Sequence, residues 1–458
     1  MRVLFATAEL APFVKVGGLG DFASGLVTSL RRDGVDVEVV LPDYGGLPFE
    51  PASEHSINIP TWASVATIHR GSLDGFEVSL VSAPGLARPH PYLDSDGTGW
   101  VDNDRRFFTF SAAIAEWVRS TEPDVVHLND WHTGAVLGML HAPPPSLLTI
   151  HNLAYQGITT VDWLTVLDRR PEAYEWFGDT NPLTGAIALA DRVVTVSPTF
   201  AEESLQPETS FGLSGPLAAR GQAFLGILNG IDTEVWNPAD DPHLGITYDV
   251  DSMGPKREIR RRLSAELGWE ETNEPLIGMV TRLTGQKGVD IALDLVDLLE
   301  VIGARMVLLG SGERDLAVAA RRAASRSERF VFSEGYDEHL SHRIFAGCDL
   351  YLMPSRFEPA GLTQMQAMRY GTIPVVTDVG GLHDTVIDAD TDPEGGTGFV
   401  AQEVSSVSMA DALHRAVKAW RSTRRRGEIR RRGMSRDWSW STSGSLYQEQ
   451  YRAISSAR

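Results

Sequence analysis

The sequence has 458 residues, yet it holds a single cysteine, Cys348, and no long apolar run. One cysteine cannot form an internal disulfide or a thiolate metal cluster, which favours a reducing compartment. No stretch approaches the roughly 18 apolar residues that a membrane-spanning helix needs. The first residues lead into a strand pattern without a signal-type segment. We therefore expect a cytoplasmic protein that does not bind membranes.

Basic residues are also scarce. The chain has 41 Lys and Arg against 61 Asp and Glu, which gives a formal net charge of -20. Long-range repulsion of this sign opposes a role in binding nucleic acid. The one strongly basic block, residues 424–432, lacks interleaved aromatic residues and is interpreted as a solvated helix face. An acidic protein that handles an anionic ligand must concentrate its cations locally.

The length and the 42% share of hydrophobic residues suffice for two cores of ordinary size. Strand and helix patterns alternate from residue 2, with a hairpin insertion at 56–82, and the alternation restarts near residue 275. This order predicts an α/β fold with a doubly wound parallel sheet in each half. One continuous helix is predicted over residues 289–302.

The domain boundary is predicted at an acidic segment with two prolines, residues 236–242. We assign an N-terminal domain to 1–238 and a C-terminal domain to 239–440. Residues 441–458 form an aromatic-rich terminal helix, which we expect to dock against the first domain.

One stretch of the second half organises the predicted site. The letters PSRFEPAGLTQ, residues 354–364, follow a buried strand and open a helix, and the next strand enters a second helix through Gly380 and Gly381. Two successive strand-to-helix turns direct two helix N-termini, with unpaired N–H groups, to one sheet edge. This edge is where α/β proteins bind phosphorylated ligands, and Glu358 lies there. A tight turn beside a solvated acid is the alternative interpretation.

The second of these turns contains the tripeptide Gly-Gly-Leu at residues 380–382. The same tripeptide occurs in the first half, within KVGGLGD at residues 15–21. Its glycines do not match the dinucleotide fingerprint G-x-G-x-x-G, because the final glycine is missing. Lys15 beside helix N–H groups could neutralise a phosphate, and a surface lysine is the alternative. Arg282 and Lys287 flank another strand-to-helix turn in the second half and supply local positive charge.

Polar clusters end two neighbouring strands of the first half. They are NDWH at residues 129–132 and HNLAYQG at residues 151–157. Carboxylates, amides and aromatic faces suit a sugar ring, which presents hydroxyls at its edge and C–H groups on its faces. A single histidine at a strand end is usually structural, but two clusters together favour a sugar-binding site.

Two acid-x-acid triplets resemble a metal-binding element. They are DSD at residues 94–96 and DAD at residues 388–390, and both fall in turn-rich loops of an acid-rich chain. Such triplets are frequent by chance in this composition, so we assign no metal ion.

Six motifs, in order and across nearly the whole chain, resemble bacterial glycogen synthases and plant starch synthases. They are the segments at 15–21, 129–132, 151–157, 282–288 and 354–364 together with NGID at 229–232. The resemblance implies a GT-B architecture, in which two Rossmann-like domains face a central cleft and close over it. It also implies retaining transfer of glucose from ADP-glucose to the non-reducing end of an α-1,4-glucan, glycogen or a maltooligosaccharide. No cofactor is implied.

The resemblance implies roles for individual residues, motif by motif. Catalytic roles fall to Glu358, Arg282, Lys287, His151 and Asp130, with Arg282 and Lys287 on the leaving diphosphate. Donor-binding roles fall to Lys15, Gly17, Gly18, Asp21, Asn229, Gln286, Tyr336, Gly361, Leu362, Thr363, Gly380 and Gly381. Trp131 and His132 are implied on the acceptor side, and the ring of Tyr336 is implied to stack on adenine.

The sequence departs from the family in three places. Ala360 stands where the family usually has cysteine, and Gln366 stands where some related transferases have a second glutamate. Residues 158–181, which border the acceptor side, match weakly. A related GT-B transferase that uses UDP-glucose or GDP-glucose, or a small acceptor such as glucose 1-phosphate, is therefore the alternative.

Two other classes fit the residues less well. A non-catalytic glucan-binding protein would have no reason to keep Lys15, Arg282, Lys287 and Glu358 together. A pyridoxal-phosphate phosphorylase is disfavoured because chains of that family are far longer.

Overall fold

Strands and helices alternate along most of the chain in the computed structural model, which describes residues 1–60, 62, 65–95 and 97–457. The chain divides into two compact units. The first unit comprises Met1–Gly230 with Trp440–Arg458, and the second comprises Ile231–Ser439. Asp96, the third residue of the first acid-x-acid triplet, lies outside the described residues.

The first unit is built on a nine-stranded sheet. Its strands are β1 (Arg2–Ala6), β2 (Asp36–Pro42), β3 (Ser53–Asn58), β4 (Val65–Leu73), β5 (Phe76–Ser82), β6 (Val125–Asn129), β7 (Ser146–Ile150), β8 (Glu175–Trp176), β9 (Asp179–Thr180), β10 (Arg192–Thr195) and β11 (Phe224–Gly226). Nine of these strands form the sheet, in the order β11-β10-β7-β6-β1-β2-β5-β4-β3, and β8 and β9 form a separate two-stranded sheet. Pairing from β11 to β5 is parallel, whereas β3, β4 and β5 form the predicted antiparallel insertion.

Helices cover this sheet, and their ends carry the expected signals. They are α1 (Gly18–Arg32), α2 (Asn103–Thr121), α3 (Pro182–Leu189), α4 (Pro198–Glu203) and α5 (Ser214–Ala218). Helix α1 has Asp21 in its first turn and two arginines in its last, which complements the helix dipole. The side chain of Asn181 caps α3 by accepting the N–H of Thr184. Because helices and loops cover both faces, β6 and β7 are buried along their whole length.

The second unit is built on a six-stranded parallel sheet. Its strands are β12 (Leu276–Val280), β13 (Arg305–Gly310), β14 (Phe330–Glu334), β15 (Leu350–Met353), β16 (Ile373–Thr377) and β17 (Phe399–Ala401), in the order β14-β13-β12-β15-β16-β17. Its helices are α6 (Pro255–Glu266), α7 (Val289–Asp294), α8 (Leu298–Ile302), α9 (Arg314–Arg326), α10 (Glu338–Gly347), α11 (Thr363–Arg369), α12 (Gly380–Thr385), α13 (Ser406–Arg421) and α14 (Thr423–Ser435). A doubly wound sheet in each half is thus confirmed.

Short 3-10 helices fill several connections of both units. They cover Trp131–Gly138, Val161–Val166, Pro171–Ala173, Gly221–Ala223 and Gly285–Lys287. No helix among the described residues combines the length and apolarity needed to cross a bilayer.

The last helix, α15 (Ser441–Ser456), belongs to the first unit. Its Tyr451 hydroxyl lies 2.6 Å from Nδ1 of His127 on β6, and Nε2 of the same ring lies 2.8 Å from the Thr149 hydroxyl. Burial holds the pKa of His127 well below its usual value, so the ring is neutral. Both nitrogens of a buried imidazole are therefore satisfied, one of them by the end of the chain.

Two boundaries differ from the sequence prediction. The prediction of one helix over residues 289–302 is wrong. This stretch forms two helices, α7 and α8, because i to i+3 hydrogen bonds replace the α-helical pattern at Leu295 and Val296. The predicted domain boundary at 238 lies within the second unit. Trp236 stacks there on the ring of His342 with centroids 4.2 Å apart.

Candidate active site

Two of the candidate motifs of the first unit border the switch point of its sheet. The chain builds outward from β1 toward β3 on one side and later continues from β6 on the other. Segments that follow β1 and β6 therefore border the crevice in which α/β proteins bind ligands. The motif at residues 15–21 follows β1, and the motif at residues 129–132 follows β6.

Asp130 adopts a backbone conformation that few non-glycine residues take, with φ at 54°. Its Oδ1 accepts the backbone N–H of His151 at 2.7 Å, and its own N–H donates to Thr149 O at 2.9 Å. Burial raises the pKa of Asp130 to about 7, against the opposing effect of backbone hydrogen bonds from His151 and Asn152. Strain of this kind persists at functional sites when the surroundings fix it. The site thus holds a carboxyl group that ionises near neutral pH.

His151 is a neutral ring with a defined tautomer. Its Nε2 lies 3.0 Å from Oδ1 of Asn129, whose side-chain nitrogen donates to Ala6 O at 3.0 Å. Because Oδ1 can only accept, the proton of His151 is on Nε2. Burial lowers the pKa of His151 to about 3. The ring therefore presents Nδ1 as a hydrogen-bond acceptor, which suits a sugar hydroxyl better than nucleophilic attack.

Two residues without a motif hold the first glycine turn. Glu9 accepts the N–H groups of Val16 and Gly17 on Oε2, at 2.7 and 3.0 Å, and the Tyr92 hydroxyl on Oε1 at 2.7 Å. These two N–H groups are therefore bound to a carboxylate. Sequence reasoning missed both residues, although an acid directly after a buried strand at the switch point was a usable signal for Glu9.

The remaining predicted residues of that turn lie together at the start of α1. Lys15 Nζ pairs with Asp21 Oδ1 at 2.8 Å, and both side chains are about one-third exposed. Gly17 is the N-cap of α1 and Gly18 its first residue. Asn229 lies elsewhere in the unit, after β11, and its buried Oδ1 has no hydrogen-bond partner among the described residues.

A cavity of about 500 Å³ lies beside the motif at 129–132. Trp131, Tyr155 and Asp104 are among its lining residues. His132 does not line the cavity. Its ring is buried, with its centroid 4.4 Å from the centroid of the Trp131 ring, and burial lowers the pKa of His132 to about 3. Gly157 also supports the wall, because a Cβ there would lie 2.1 Å from the Trp131 ring. Of the two predicted acceptor-side residues, one lines the cavity and the other packs behind it.

Arg282, Lys287 and Glu358 occupy the corresponding switch point of the second unit, between β12 and β15. Lys287 Nζ lies 2.8 and 2.6 Å from the two carboxylate oxygens of Glu358, and Ser355 Oγ donates to the same carboxylate at 2.9 Å. Glu358 is only 4% exposed. The strands bring together two charged groups that are 71 residues apart in sequence. Charge-assisted hydrogen bonds fix the ammonium group in one position.

A smaller cavity of about 150 Å³ opens beside this ion pair. Arg282, Lys287, Ser355 and Thr363 are among the residues that line it. Two cations and two hydroxyl groups around a small volume are the donors that a phosphate group needs. Gln286 ties the two loops together, since its amide donates to Phe357 O at 3.2 Å.

The glycines of the second unit allow two turns to touch. Gly361 and Gly380 have positive φ values of 63° and 42°. The N–H of Gly381 donates to Glu358 O at 2.9 Å, and a Cβ at Gly381 would lie 1.9 Å from the carbonyl oxygen of Ala360. Leu362 and Thr363 occupy the N-cap and first position of α11. Only a residue without a side chain fits where these turns meet.

Tyr336 is set apart from this group. It follows β14, two strands away from β12, and it does not line the smaller cavity. Its side chain is 76% exposed. Of the residues predicted in this unit, the structure therefore brings Arg282, Lys287, Glu358 and Thr363 together and leaves Tyr336 at a distance along the sheet.

Two doubly wound units with polar and charged side chains at their switch points fit the GT-B fold, and the solved structures that resemble this chain place it among the glycosyltransferases of that fold. The structure is similar to the catalytic domain of starch synthase IV from Arabidopsis thaliana bound to ADP and acarbose, with a TM-score of 0.89, 33% identity and 99% coverage of both chains. A sucrose-phosphate synthase from Thermosynechococcus elongatus, at 17% identity and a TM-score of 0.66 over 100% of both chains, shares the fold. The chain belongs to the glycogen synthase and starch synthase family.

Sequence comparisons carry that assignment over the whole chain. A glycogen synthase from Novosphingobium aromaticivorans is 39% identical over 99% of both chains, and one from Alkalilimnicola ehrlichii is 40% identical over 99% of this chain and 98% of its own. A family model described as starch synthase catalytic domain matches residues 2–219. Another, described as glycosyl transferases group 1, matches residues 261–433. The expected family, fold and glucosyltransferase class are confirmed.

Proposed function

We propose that this chain transfers glucose from ADP-glucose to the non-reducing end of an α-1,4-glucan and retains the anomeric configuration. The observation that carries the proposal is the Lys287–Glu358 pair beside the cavity lined by Arg282. The glycogen synthase relatives support the glucan product. The ADP and acarbose bound by the Arabidopsis starch synthase support an adenosine diphosphate donor and a glucan-like acceptor.

Residues of the second unit stabilise the leaving group. Negative charge grows on the diphosphate as the bond to C1 of glucose breaks, and fixed cations lower the energy of that state. Arg282 and Lys287 supply the positive charge. Glu358 holds the ammonium group in place, so little reorganisation is needed during the reaction. Thr363, Gly361 and Leu362 meet the phosphates, and Tyr336 stacks on the adenine.

Residues of the first unit stabilise and orient the glucosyl group. Positive charge develops on the sugar ring, and the Asp130 carboxylate stabilises it when ionised. His151 accepts a hydroxyl hydrogen on Nδ1 and thereby orients the ring. The acceptor hydroxyl attacks the face from which the diphosphate leaves: its oxygen bonds to C1, the C1–O bond to phosphate breaks, and the hydroxyl proton passes to a phosphate oxygen. No covalent nucleophile is required.

The larger cavity of the first unit is proposed to hold the glucan acceptor. Trp131 and Tyr155 offer aromatic faces for sugar C–H groups, and Asp104 offers an acceptor for hydroxyls. We further propose a cytoplasmic location, which agrees with a lone thiol that is buried.

A donor and acceptor matrix tests the proposal. ADP-glucose, UDP-glucose and GDP-glucose are each supplied with glycogen, maltoheptaose or glucose 1-phosphate, and products are identified by chromatography and by the anomeric coupling in NMR spectra. We expect fastest transfer from ADP-glucose to the glucans, with an α-1,4 linkage. Faster transfer from another nucleotide sugar, or to glucose 1-phosphate, would overturn the proposal. The Lys287→Ala variant serves as the catalytic background.

A further inference from the structure

A cluster of three imidazoles and a carboxylate lies in the second unit, and none of its members lines the Arg282 cavity. His339 and His342 are three residues apart on α10, so they share one face of the helix. His243 belongs to the segment before α6, and its Nδ1 lies 2.7 Å from Nδ1 of His339. The proposed glucosyl transfer gives this cluster no task.

The carboxylate of the cluster belongs to Asp241, which is buried. Its carboxylate accepts three hydrogen bonds: from His342 Nδ1 at 2.8 Å, from the Tyr370 hydroxyl at 2.5 Å and from the backbone N–H of His243 at 2.8 Å. Three donors around one buried carboxylate favour its ionised form. The carboxylate also fixes the tautomer of His342, whose proton must be on Nδ1.

The other nitrogen of His342 is available as a ligand. Nε2 is buried and has no hydrogen-bond partner among the described residues. Trp236 stacks on this ring with an interplanar angle of 12°, which restrains its orientation. A histidine that donates one ring N–H to a carboxylate and presents the other nitrogen is the usual arrangement in metal sites. Leaving such a buried acceptor unpaired is costly, and a bound ion removes that cost.

The histidines are close enough together for one ion. Ligand atoms of His243 and His342 lie within 4.8 Å of each other, in a group that also includes Asp241, and Nδ1 of His339 lies 2.7 Å from Nδ1 of His243. Ligand atoms of a tetrahedral zinc ion lie about 3.4 Å apart, since each bond is about 2.1 Å long. Small side-chain rotations close that difference, and His339 is exposed and has room to turn. The two Nδ1 atoms that face each other share one proton without metal, and an ion takes the place of that proton.

We propose that His243, His339 and His342 bind a divalent transition-metal ion of the zinc type, with Asp241 holding the ring of His342 from behind. Imidazole-rich sites favour zinc, cobalt or nickel over magnesium and calcium, which prefer oxygen ligands. The ion cross-links the segment that carries His243 to helix α10. Its role is structural, because the ion joins two segments whose histidines do not line the Arg282 cavity.

Calorimetry on the untagged, chelator-treated full chain tests the site, with zinc chloride as the titrant and magnesium chloride as the negative control. We expect one zinc ion per chain and a melting temperature that rises with zinc concentration. His243→Ala should weaken zinc binding at least tenfold, and His243→Ala with His339→Ala should abolish the zinc-dependent rise. Both side chains are at least partly exposed, so these variants keep the fold.

His414→Ala is the matched control, since it removes an exposed histidine from α13 in the same unit. It should bind zinc like the unaltered chain. Equal zinc binding by the unaltered chain and the double variant would overturn the proposal, because the acidic surface would then be the binder. An unaltered chain that binds no zinc would overturn it as well. Cobalt in place of zinc adds a direct readout: its visible absorption must change when His243 is removed.

Discussion

The tripeptide Gly-Gly-Leu enters a helix in both units, but the two turns are built differently. In the first unit the N–H of Gly17 binds the carboxylate of Glu9, and a Cβ at Gly17 would meet no heavy atom within 4 Å. In the second unit the N–H of Gly381 binds the carbonyl oxygen of Glu358, and a Cβ there would lie 1.9 Å from a backbone carbonyl. One glycine borders open space, and the other permits contact between two backbone turns.

The same division appears in the charges. Glu9 already neutralises the turn of the first unit, whereas Glu358 pairs with Lys287 beside a cavity that Arg282 also lines. Positive groups for an anionic ligand are therefore concentrated in the second unit. The first unit offers a carboxyl group and neutral rings. A repeated sequence element can thus serve two different chemistries, and substitutions in the two units should separate them.

The largest effect is expected at the charged turn, for Lys287→Ala. Turnover should fall about 10³-fold, by more than the apparent donor binding constant rises, because leaving-group charge grows toward the transition state. The change also leaves Glu358 buried without its cation, at a cost of about 3–5 kcal/mol in unfolding free energy. Steady-state kinetics and urea unfolding measure the two effects. The double variant with Glu358→Gln should regain stability but not turnover, and unchanged turnover in the single variant would refute the assigned role.

Asp130→Asn tests the carboxyl group of the first unit, and we expect turnover to fall about 10²-fold. A carboxyl pKa raised to about 7 by burial contributes stability that is complete below its ordinary value near 4 and is lost as pH rises toward 7. The amide of the Asp130→Asn variant does not titrate, so the variant does not lose stability in this way as the pH rises. Its unfolding free energy relative to the unaltered chain should therefore increase between pH 5 and pH 8 by on the order of 2 kcal/mol. An identical difference at both pH values would argue against the raised pKa.

The first glycine of one tripeptide, Gly17, and the second glycine of the other, Gly381, test the same substitution in different surroundings. Gly381→Ala should lower the unfolding free energy by about 2–4 kcal/mol, because the added methyl meets backbone that cannot move away. Gly17→Ala should change it by less than about 0.5 kcal/mol, while raising the apparent binding constant for the donor. Thermal unfolding and donor kinetics on both variants are required. Equal losses of stability would contradict the difference between open space at Gly17 and close backbone contact at Gly381.

Glu9→Gln should have a modest effect, since the amide oxygen can still accept the turn N–H groups while its nitrogen faces the Tyr92 hydroxyl. We expect a loss of about 1 kcal/mol in stability and a several-fold lower kcat/KM. Tyr92→Phe is the companion variant, because it removes only the Oε1 contact. If Glu9→Gln costs no more than Tyr92→Phe in both measurements, the carboxylate is not what organises the turn.

The smallest change is expected for Ala360→Cys, which restores the residue usual in the family. Ala360 takes part through its backbone, whose carbonyl oxygen accepts the Gln364 side chain at 3.2 Å. No step of the proposed reaction needs a thiolate. Turnover should change by less than about tenfold, which is about 1.4 kcal/mol. A larger increase in single-turnover rate would show that the thiol contributes directly.

The order of strands and helices was predictable because hydrophobic periodicity is a local property of the sequence. The meeting of Lys287 with Glu358 was predictable too, since parallel strands bring their carboxyl ends to one edge. The contact between Glu9 and Tyr92 was not, because 83 residues separate them and neither belongs to a motif. Tyr92 lies in a loop and not at a strand end, so the sequence gives no signal for its part of this contact.

Two surface interpretations show the same limit. The basic block at residues 424–432 was interpreted as a solvated face, and this is wrong for part of it. Arg430 donates to Asp349 at 2.7 Å, and both side chains are largely buried. Arg430 of α14 therefore takes part in an internal ion pair whose partner lies 81 residues away in sequence. The DAD triplet at 388–390 is occupied in the same way, by Arg415 and Arg425.

Helix α15 sets the timing of folding during protein synthesis. The second unit, Ile231–Ser439, is continuous in the chain, but the first is finished only when Tyr451 reaches the buried ring of His127. At about 5–20 residues per second, synthesis of the roughly 200 residues between the two parts of the first unit takes about 10–40 s. During that interval the nascent first unit lacks the helix that covers its sheet, while the second unit emerges and can fold. Throughout that interval the first unit stays unfinished, and it is completed only after the last residues of the chain have left the ribosome.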